Sequence, residues 1–277
     1  NCASPLLQGW HVRATGVLRR SMPGAHPLLP GSAERLARQG SWSRLRVDSI
    51  DVLRRPWTPL ADLRRDVAKR VQQAAGPRRG GFLAALVLGS AQVQLPEDIR
   101  QAFRIAGLSH ALAASGFHLS VLLGSVLMLA RHWAPCLRLP LAGLSLLLFV
   151  CLAGAQPSVV RAVLMAAIAL LIRESGHHSR PLGVLLLTLS GMLLFRPGWA
   201  LSIGFQLSAA ATAGLILTAP RLEQAVQGCL PDRCRGVAAA LSIPVAAFLW
   251  TLPLQLLHFG AMPLYALLAN LLVAPLL

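Results

Sequence analysis

From Ile105 onward the chain is a succession of apolar runs, at 105–130, 139–172, 182–195, 198–219, 237–257 and 261 to the end. Short, slightly basic connectors at 131–138, 173–180, 196–197 and 220–236 join them. A helix rises about 1.5 Å per residue, so roughly 20 apolar residues cross the ~30 Å of bilayer hydrocarbon, and several runs are long enough to span. The run at 182–195 is short for that purpose. Before Ile105 the period changes. Residues 11–18 and 44–53 are β-prone, and in the second Leu45 and Val47, then Ile50 and Val52, alternate with a one-residue slip near Asp48 or Ser49 that predicts a bulge. Between them Pro23 to Gly31 reads as loop and Ala33 to Gln39 as a short helix closed by Gly40.

After Arg55-Pro56-Trp57-Thr58-Pro59, Leu60, Leu63, Val67, Val71 and Ala74 recur at helical spacing, with Arg64, Arg65, Lys69 and Arg70 off that stripe. Such a basic amphipathic helix suits a membrane surface; packing on a neighbouring domain is the plainer reading. Pro77 and Gly80-Gly81 are expected to end it, a moderately apolar stretch follows at 82–95, and Pro96-Glu97-Asp98 has the proline and first-turn acids of a new helix.

Composition sharpens the picture. The 277 residues are 55% hydrophobic and 13% charged, with 26 Lys+Arg against 10 Asp+Glu and a net charge of +16. That charge density is half of what covers an ordinary globular domain, which argues against a soluble single-core enzyme. Residues 1–104 hold 17 bases and 7 acids, and residues 105–277 hold 9 and 3, so a basic water-facing third precedes a membrane-embedded remainder. The connectors differ too little in charge to orient the spans. Trp133 and Trp199 fall at segment edges, where interfacial aromatics belong. The chain opens on Asn1 and stops within an apolar run, so it is expected to be a piece of a longer protein. The cysteines form no metal pattern; Cys229 and Cys234 are placed for a local disulfide or stand as two thiols in a loop.

Three apolar runs carry polar and helix-breaking residues near their middles: His110, Ser115, Gly116 and His118; then Gln156, Pro157, Ser158 and Arg161; then Gly204, Gln206 and Ser208. Irregular backbone at bilayer depth is tolerated only inside protein or beside a wet cavity, so one shared polar pathway is the expectation. An arginine at a helix centre costs at least about 2.5–3.5 kcal/mol on insertion scales, which makes Arg161 a functional candidate. Plainer readings stand beside each: small residues for close packing, histidines as interhelical hydrogen-bond partners, Arg161 snorkelling from a tight hairpin, Gln206 bonding a neighbouring backbone. An intramembrane hydrolase built on Ser115 and His118 lacks an acid within the apolar core and a Gly-x-Ser-x-Gly elbow. Discontinuous helices also describe secondary transporters of smaller anions, although no internal pseudo-symmetry is evident. No histidine spacing is specific for a metal, and no phosphate-binding Walker loop is present.

The block Gly107-Leu108-Ser109-His110-Ala111-Leu112-Ala113-Ala114-Ser115-Gly116-Phe117-His118, with Pro157-Ser158-Val159-Val160-Arg161-Ala162 and Gly204-Phe205-Gln206-Leu207-Ser208, resembles in order and content the motifs of the ComEC-type competence protein family. Leu86 to Gly89 with Ile99 to Ile105, and Asn270 with Pro275, resemble its flanking elements; Ala111 and Phe117 depart from its usual leucines. The resemblance implies a mainly α, polytopic membrane protein preceded by a partial extracytoplasmic β domain. Residues 1–56 would be an incomplete OB-like domain, 57–104 an amphipathic, juxtamembrane helical connector, and 105–277 a polytopic domain truncated at its C-terminus.

It further implies a non-enzymatic channel that carries single-stranded DNA across the bacterial cytoplasmic membrane during natural transformation. His110, Ser115, His118, Gln156, Ser158, Arg161, Gln206, Ser208 and Asn270 are then candidates for lining the path, with Gly116, Pro157 and Gly204 as helix breaks. Arg13, Arg19, Arg20, Arg44 and Arg46 would gather DNA outside, and Trp10, Trp42 and Trp57 either stack bases or serve a core. No cofactor or metal is expected in this stretch. The implied partners are single-stranded DNA, the bilayer, a DNA-receptor protein and a cytoplasmic ATPase or helicase; the alternatives remain an anion transporter and an intramembrane hydrolase.

Overall fold

Gly76 and Gly154 adopt φ of 82° and 88°, and after each of them a new helix begins at a proline. Glycine takes this conformation without the Cβ clash that other residues meet, and proline suits the first helical turn because its missing N–H would go unpaired there. In the computed structural model, residues 10–20, 32–37, 41–54, 56–89, 95, 97–106, 116–228, 235–259 and 269 are described. They are mostly helical. Two strands, β1 (His11–Arg20) and β2 (Ser43–Arg54), flank a short helix α1 (Ser32–Ala37). There follow α2 (Pro59–Ala75), α3 (Pro77–Leu88), α4 (Glu97–Ile105), α5 (Gly116–Leu129), α6 (Pro135–Ala153), α7 (Pro157–Glu174), α8 (Pro181–Phe195), a 3-10 turn at Pro197–Leu201, α9 (Ile203–Leu217), α10 (Ala219–Gln227) and α11 (Arg235–Phe259).

The strands form a two-stranded antiparallel sheet in which Thr15 pairs with Ser49 and Gly16 with Val47, leaving Asp48 as the extra residue of a bulge where the alternation slips. The bulge presses the Arg46 carbonyl onto Gly16, where a Cβ would lie 2.0 Å from that oxygen. Directly paired residues share a face. Arg13, Thr15, Val17 and Arg19 therefore lie with Asp51, Ser49, Arg46 and Arg44, while Val12, Ala14 and Leu18 lie with Val52, Ile50 and Leu45. One face is basic and polar, the other apolar, and Arg20 belongs to the apolar one. Two exposed strands are only part of any barrel, so an OB-like domain goes beyond what the described residues form.

Pro77 starts α3 immediately after Gly76, so Gly80 and Gly81 lie inside a helix rather than ending one. The reason is steric: a Cβ on Gly80 would sit 2.4 Å from Gln72 Cα, and only glycine lets α3 press onto α2 this closely. Val67, Ala68 and Val71 of α2 pack against Ala84, Ala85 and Leu88 of α3, with Phe82, Ile99, Phe103 and Leu152 around them. The apolar stripe of α2 thus covers α3 and the end of α6, whereas Leu60 and Leu63 stay exposed, as does Trp57 at 86%. Trp42 is 79% exposed, outside any core.

The run 139–172 is not one interrupted span. Gly154 splits it into α6 and α7, which lie antiparallel because Arg138 near the start of α6 pairs with Glu174 at the end of α7. Leu119, Leu146, Phe149, Ala153, Val159 and Ala162 form the core shared by α5, α6 and α7. Residues 220–227, expected as part of a connector, belong to α10, which is bent 42° from α9 and carries a Gln227 to Glu223 hydrogen bond of 3.1 Å. Among the described residues two helices are long and apolar enough to cross a membrane, with α9 and α10 together a third if the bent pair is one span. Buried hydroxyls bond back within their own helices, Thr188 to the Val184 carbonyl and Thr251 to that of Ala247, each at 2.8 Å. Hydrocarbon offers them no other partner.

Gly214 brings α9 against α11: a Cβ there would lie 2.7 Å from the Trp250 ring and 2.9 Å from the Ala246 carbonyl. Gly214→Ala is expected to destabilise the protein by about 1–3 kcal/mol through overpacking, read as a fall in thermal midpoint in detergent. Gly143→Ala on α6, where nothing lies within 4 Å, is expected to be neutral or to stabilise by about 0.5–1 kcal/mol. Equal effects of the two changes would refute the close approach of α9 and α11.

Candidate functional site

Each polar interruption that lies within the described residues falls at a helix start. Gly116 opens α5, Pro157 opens α7, and Gly204 is the second residue of α9, which then runs unbroken to Leu217. The run 139–172 looks continuous in sequence because its joint, Gly154-Ala155-Gln156, is itself largely apolar, while the run 198–219 takes in most of the 3-10 turn Pro197–Leu201 ahead of α9. The helix-break positions therefore mark one end of the helix set and not its midplane. Contacts place the starts of α5, α7 and α9 together: a Cβ on Gly116 would touch that of Ala162 at 3.6 Å, and Arg161 reaches Ser208.

Arg161 sits in the second turn of α7. Its Nε donates to Ser208 Oγ at 2.7 Å and its Nη1 to Met165 Sδ at 3.2 Å, a partly buried setting built only from neutral groups. Among the described residues no carboxylate pairs with it, the ion pairs of this chain being elsewhere. Ser158 lies three residues before Arg161 on α7 and so shares its face. On α9, Thr212 Oγ1 donates to the Ser208 carbonyl at 2.8 Å.

Gln206 faces another way. Two residues along a helix turn the side chain by about 200°, so Gln206 and Ser208 point to opposite sides of α9. Gln206 Nε2 donates to the Ala200 carbonyl at 2.7 Å, tying α9 to the preceding 3-10 turn, and Gln206 Oε1 lies 2.6 Å from His258 Nε2 at the end of α11. The backbone bond expected of Gln206 is present. The bond to His258 was invisible in sequence, where a histidine closing an apolar run looks like an ordinary boundary. The single shared pathway thus resolves into an Arg161–Ser208 pair between α7 and α9 and a Gln206–His258 pair between α9 and α11, within about two turns of the same end.

His118, in the first turn of α5, is half-buried at this end, and Gln156 occupies the N-cap of α7 in extended backbone. His110, Ser115, Asn270, Cys229 and Cys234 lie outside the described residues. A further residue that the sequence did not single out is Arg64 on α2. Its Nε donates to the Cys151 carbonyl at 2.8 Å and its Nη2 shares that acceptor. A cation there meets the negative end of the α6 dipole and occupies a carbonyl in the helix's last turn. In the two-stranded sheet Arg19 lies directly opposite Arg44, with Arg46 beside Val17 on the same exposed face, whereas Arg13 faces Asp51.

Double-mutant cycles measured by unfolding in detergent separate the two pairs. Arg161→Ala with Ser208→Ala is expected to couple by about 0.5–3 kcal/mol, and Arg161→Ala with Gln206→Ala to be additive within about 0.5 kcal/mol. Strong coupling of Arg161 with Gln206 would restore a single network.

The family model described as Competence protein matches residues 86–277. The chain is 28% identical over 279 residues to ComE operon protein 3 of Bacillus subtilis, covering 96% of this chain and 34% of that protein. It is 27% identical over 213 residues to the uncharacterized protein YcaI of Escherichia coli, covering 69% and 27%, and 25% identical over 233 residues to Recombination protein 2 of Haemophilus influenzae, covering 78% and 29%. The chain spans about a third of the length of these curated relatives. No solved structure matches it. With the match extending over most of the chain and taking in every helix from α4 onward, this protein belongs to the competence protein family.

Proposed function

We propose that this chain contributes the membrane passage through which one strand of DNA crosses the cytoplasmic membrane during natural transformation. The observation that carries the reading is Arg161: a partly buried guanidinium in an apolar helix, held by a hydroxyl and a thioether, with no carboxylate against it among the described residues. Nothing among the described residues neutralises its charge, which in this reading is available to a phosphate. A passing polyanion needs contacts favourable enough to enter and weak enough to leave, which one cation among neutral donors satisfies better than a ring of cations. Family membership and the apolar helices support the membrane setting.

The fold also assigns the connectors to two ends. Arg131, Arg138, Arg173, Arg180 and Arg221 lie at or beside the joints of the end opposite Arg161, while the connector at the Arg161 end contributes Arg196. In this reading the Arg161 end faces outward, together with α2, whose Arg64 covers the end of α6. That is the side on which DNA arrives. The exposed basic face with Arg19, Arg44 and Arg46 is the reception surface, since like charges set opposite each other in a sheet repel until an anion joins them. A DNA-receptor protein would deliver the strand, and a cytoplasmic ATPase or helicase would pull it.

Two measurements test this. Arg161→Gln is expected to lower transformation frequency by at least tenfold at unchanged level of membrane-inserted protein, with partial recovery in Arg161→Lys; normal uptake by Arg161→Gln would sink the passage assignment. For the full-length protein binding a single-stranded oligonucleotide, log K should fall with log salt, by about 0.7 per phosphate neutralised. Changing Arg19, Arg44 and Arg46 together to Gln should flatten that slope by about 2. An unchanged slope would remove the reception role.

A further inference from the structure

At the end of the bundle opposite Arg161, Leu127, Arg131, Arg138, Leu170, Arg173 and Glu174 line a small cleft of about 90 Å³ that opens to the surface. Arg138 belongs to the start of α6 and Glu174 to the end of α7, each at the end of its own helix where the dipole disfavours it. The antiparallel hairpin reverses the effect. Glu174 lies beside the positive start of α6 and Arg138 beside the negative end of α7, and Arg138 Nη2 holds both carboxylate oxygens. This pair accounts for one of the three guanidinium charges. Arg131 and Arg173 are exposed, and Arg131 Nε donates to His132 at 2.9 Å, so the cleft keeps an excess of two positive charges. Within it Arg138 Nε is buried with no hydrogen-bond partner among the described residues. Arg138 thus contributes charge from the wall, while Arg131 and Arg173 present the open donors.

The surroundings indicate what those open donors meet. Met128 and Leu129 of α5, Leu137 of α6 and Leu171 of α7 are all exposed, Leu129 to 84%, and they flank the arginines on three helices that pack together. A basic cleft at the rim of an apolar, lipid-facing surface matches a phosphodiester with hydrocarbon chains attached. We propose that this cleft binds the headgroup phosphate of an anionic phospholipid, with Arg131 and Arg173 as donors, Arg138 adding charge from behind its ion pair with Glu174, and the exposed leucines and Met128 against its acyl chains. Basic pockets between membrane helices are suited to such headgroups. This site is separate from Arg161 and does not depend on the role proposed for it.

The test uses the full-length protein in detergent and native mass spectrometry with phosphatidylglycerol, cardiolipin or phosphatidylcholine added. One anionic lipid is expected to stay bound under conditions that strip phosphatidylcholine. Arg131→Gln and Arg173→Gln, both at exposed positions, should each weaken its retention about fivefold, and the double substitution should abolish the preference. Because the single variants carry the same prediction, failure of the double variant to fold leaves the test intact. Equal retention of phosphatidylcholine, or anionic lipid binding unchanged in both single variants, would overturn the proposal. So would displacement of the lipid by inorganic phosphate or a single-stranded oligonucleotide at millimolar concentration, which would assign the cleft to phosphate from another source.

Discussion

A chain in hydrocarbon must satisfy its own peptide groups, and the architecture from α5 to α11 follows from that requirement. Helices supply the bonds along their length, so every joint has to be short and near an end. Gly154 accomplishes this at α6–α7 by a positive φ and a hydrogen bond from its N–H to the Val150 carbonyl at 2.8 Å, after which Pro157 starts α7 without leaving an N–H unpaired. Where carbonyls remain at a helix end a side chain arrives: Arg64 covers Cys151, and Gln206 covers Ala200. The described polar residues of the family motifs, from His118 to Ser208, are gathered at one end by the same constraint, because that end is where α5, α7 and α9 begin.

The charges obey a related logic. Arg161 is placed about a turn from the joint that precedes it, close enough to the end for its charge to be tolerated and deep enough to be held between α7 and α9. The ion pair Arg138–Glu174 sits at the other end, where a carboxylate and a guanidinium neutralise each other's unfavourable helix termini. Among the described residues one end therefore presents a cation without an acid and the other a basic cleft anchored by an acid. The difference gives the helix set a polarity although both ends carry arginines.

Much of the fold could be read from periodicity. The bulge at Asp48, the acid-rich start of α4 and the amphipathic stripe of α2 were all visible as local patterns, because each depends on neighbours within a few residues. The joints inside apolar runs were not. Gly154-Ala155 is as apolar as the helices it connects, so hydropathy alone merges α6 and α7 into one segment, and the last residues of the Pro197–Leu201 turn pass for the start of the α9 run. Gly80 misled in the opposite direction, reading as a breaker when its lack of a side chain serves contact between α2 and α3.

The order of polar residues along the chain determined the family, the mainly helical membrane character and Arg161 as the candidate, since all three depend on which residues occur and at what spacing. Their depth and partners depended on packing. Only the antiparallel hairpin of α6 and α7 moves Arg161 from the middle of an apolar run to the end of a bundle, and only the rotation of α9 sends Gln206 to His258 while Ser208 meets Arg161. The cleft of Arg131, Arg138 and Arg173 likewise joins residues from three helices, and no local pattern can announce such a meeting, because the distance between them is set by how the helices turn back on one another.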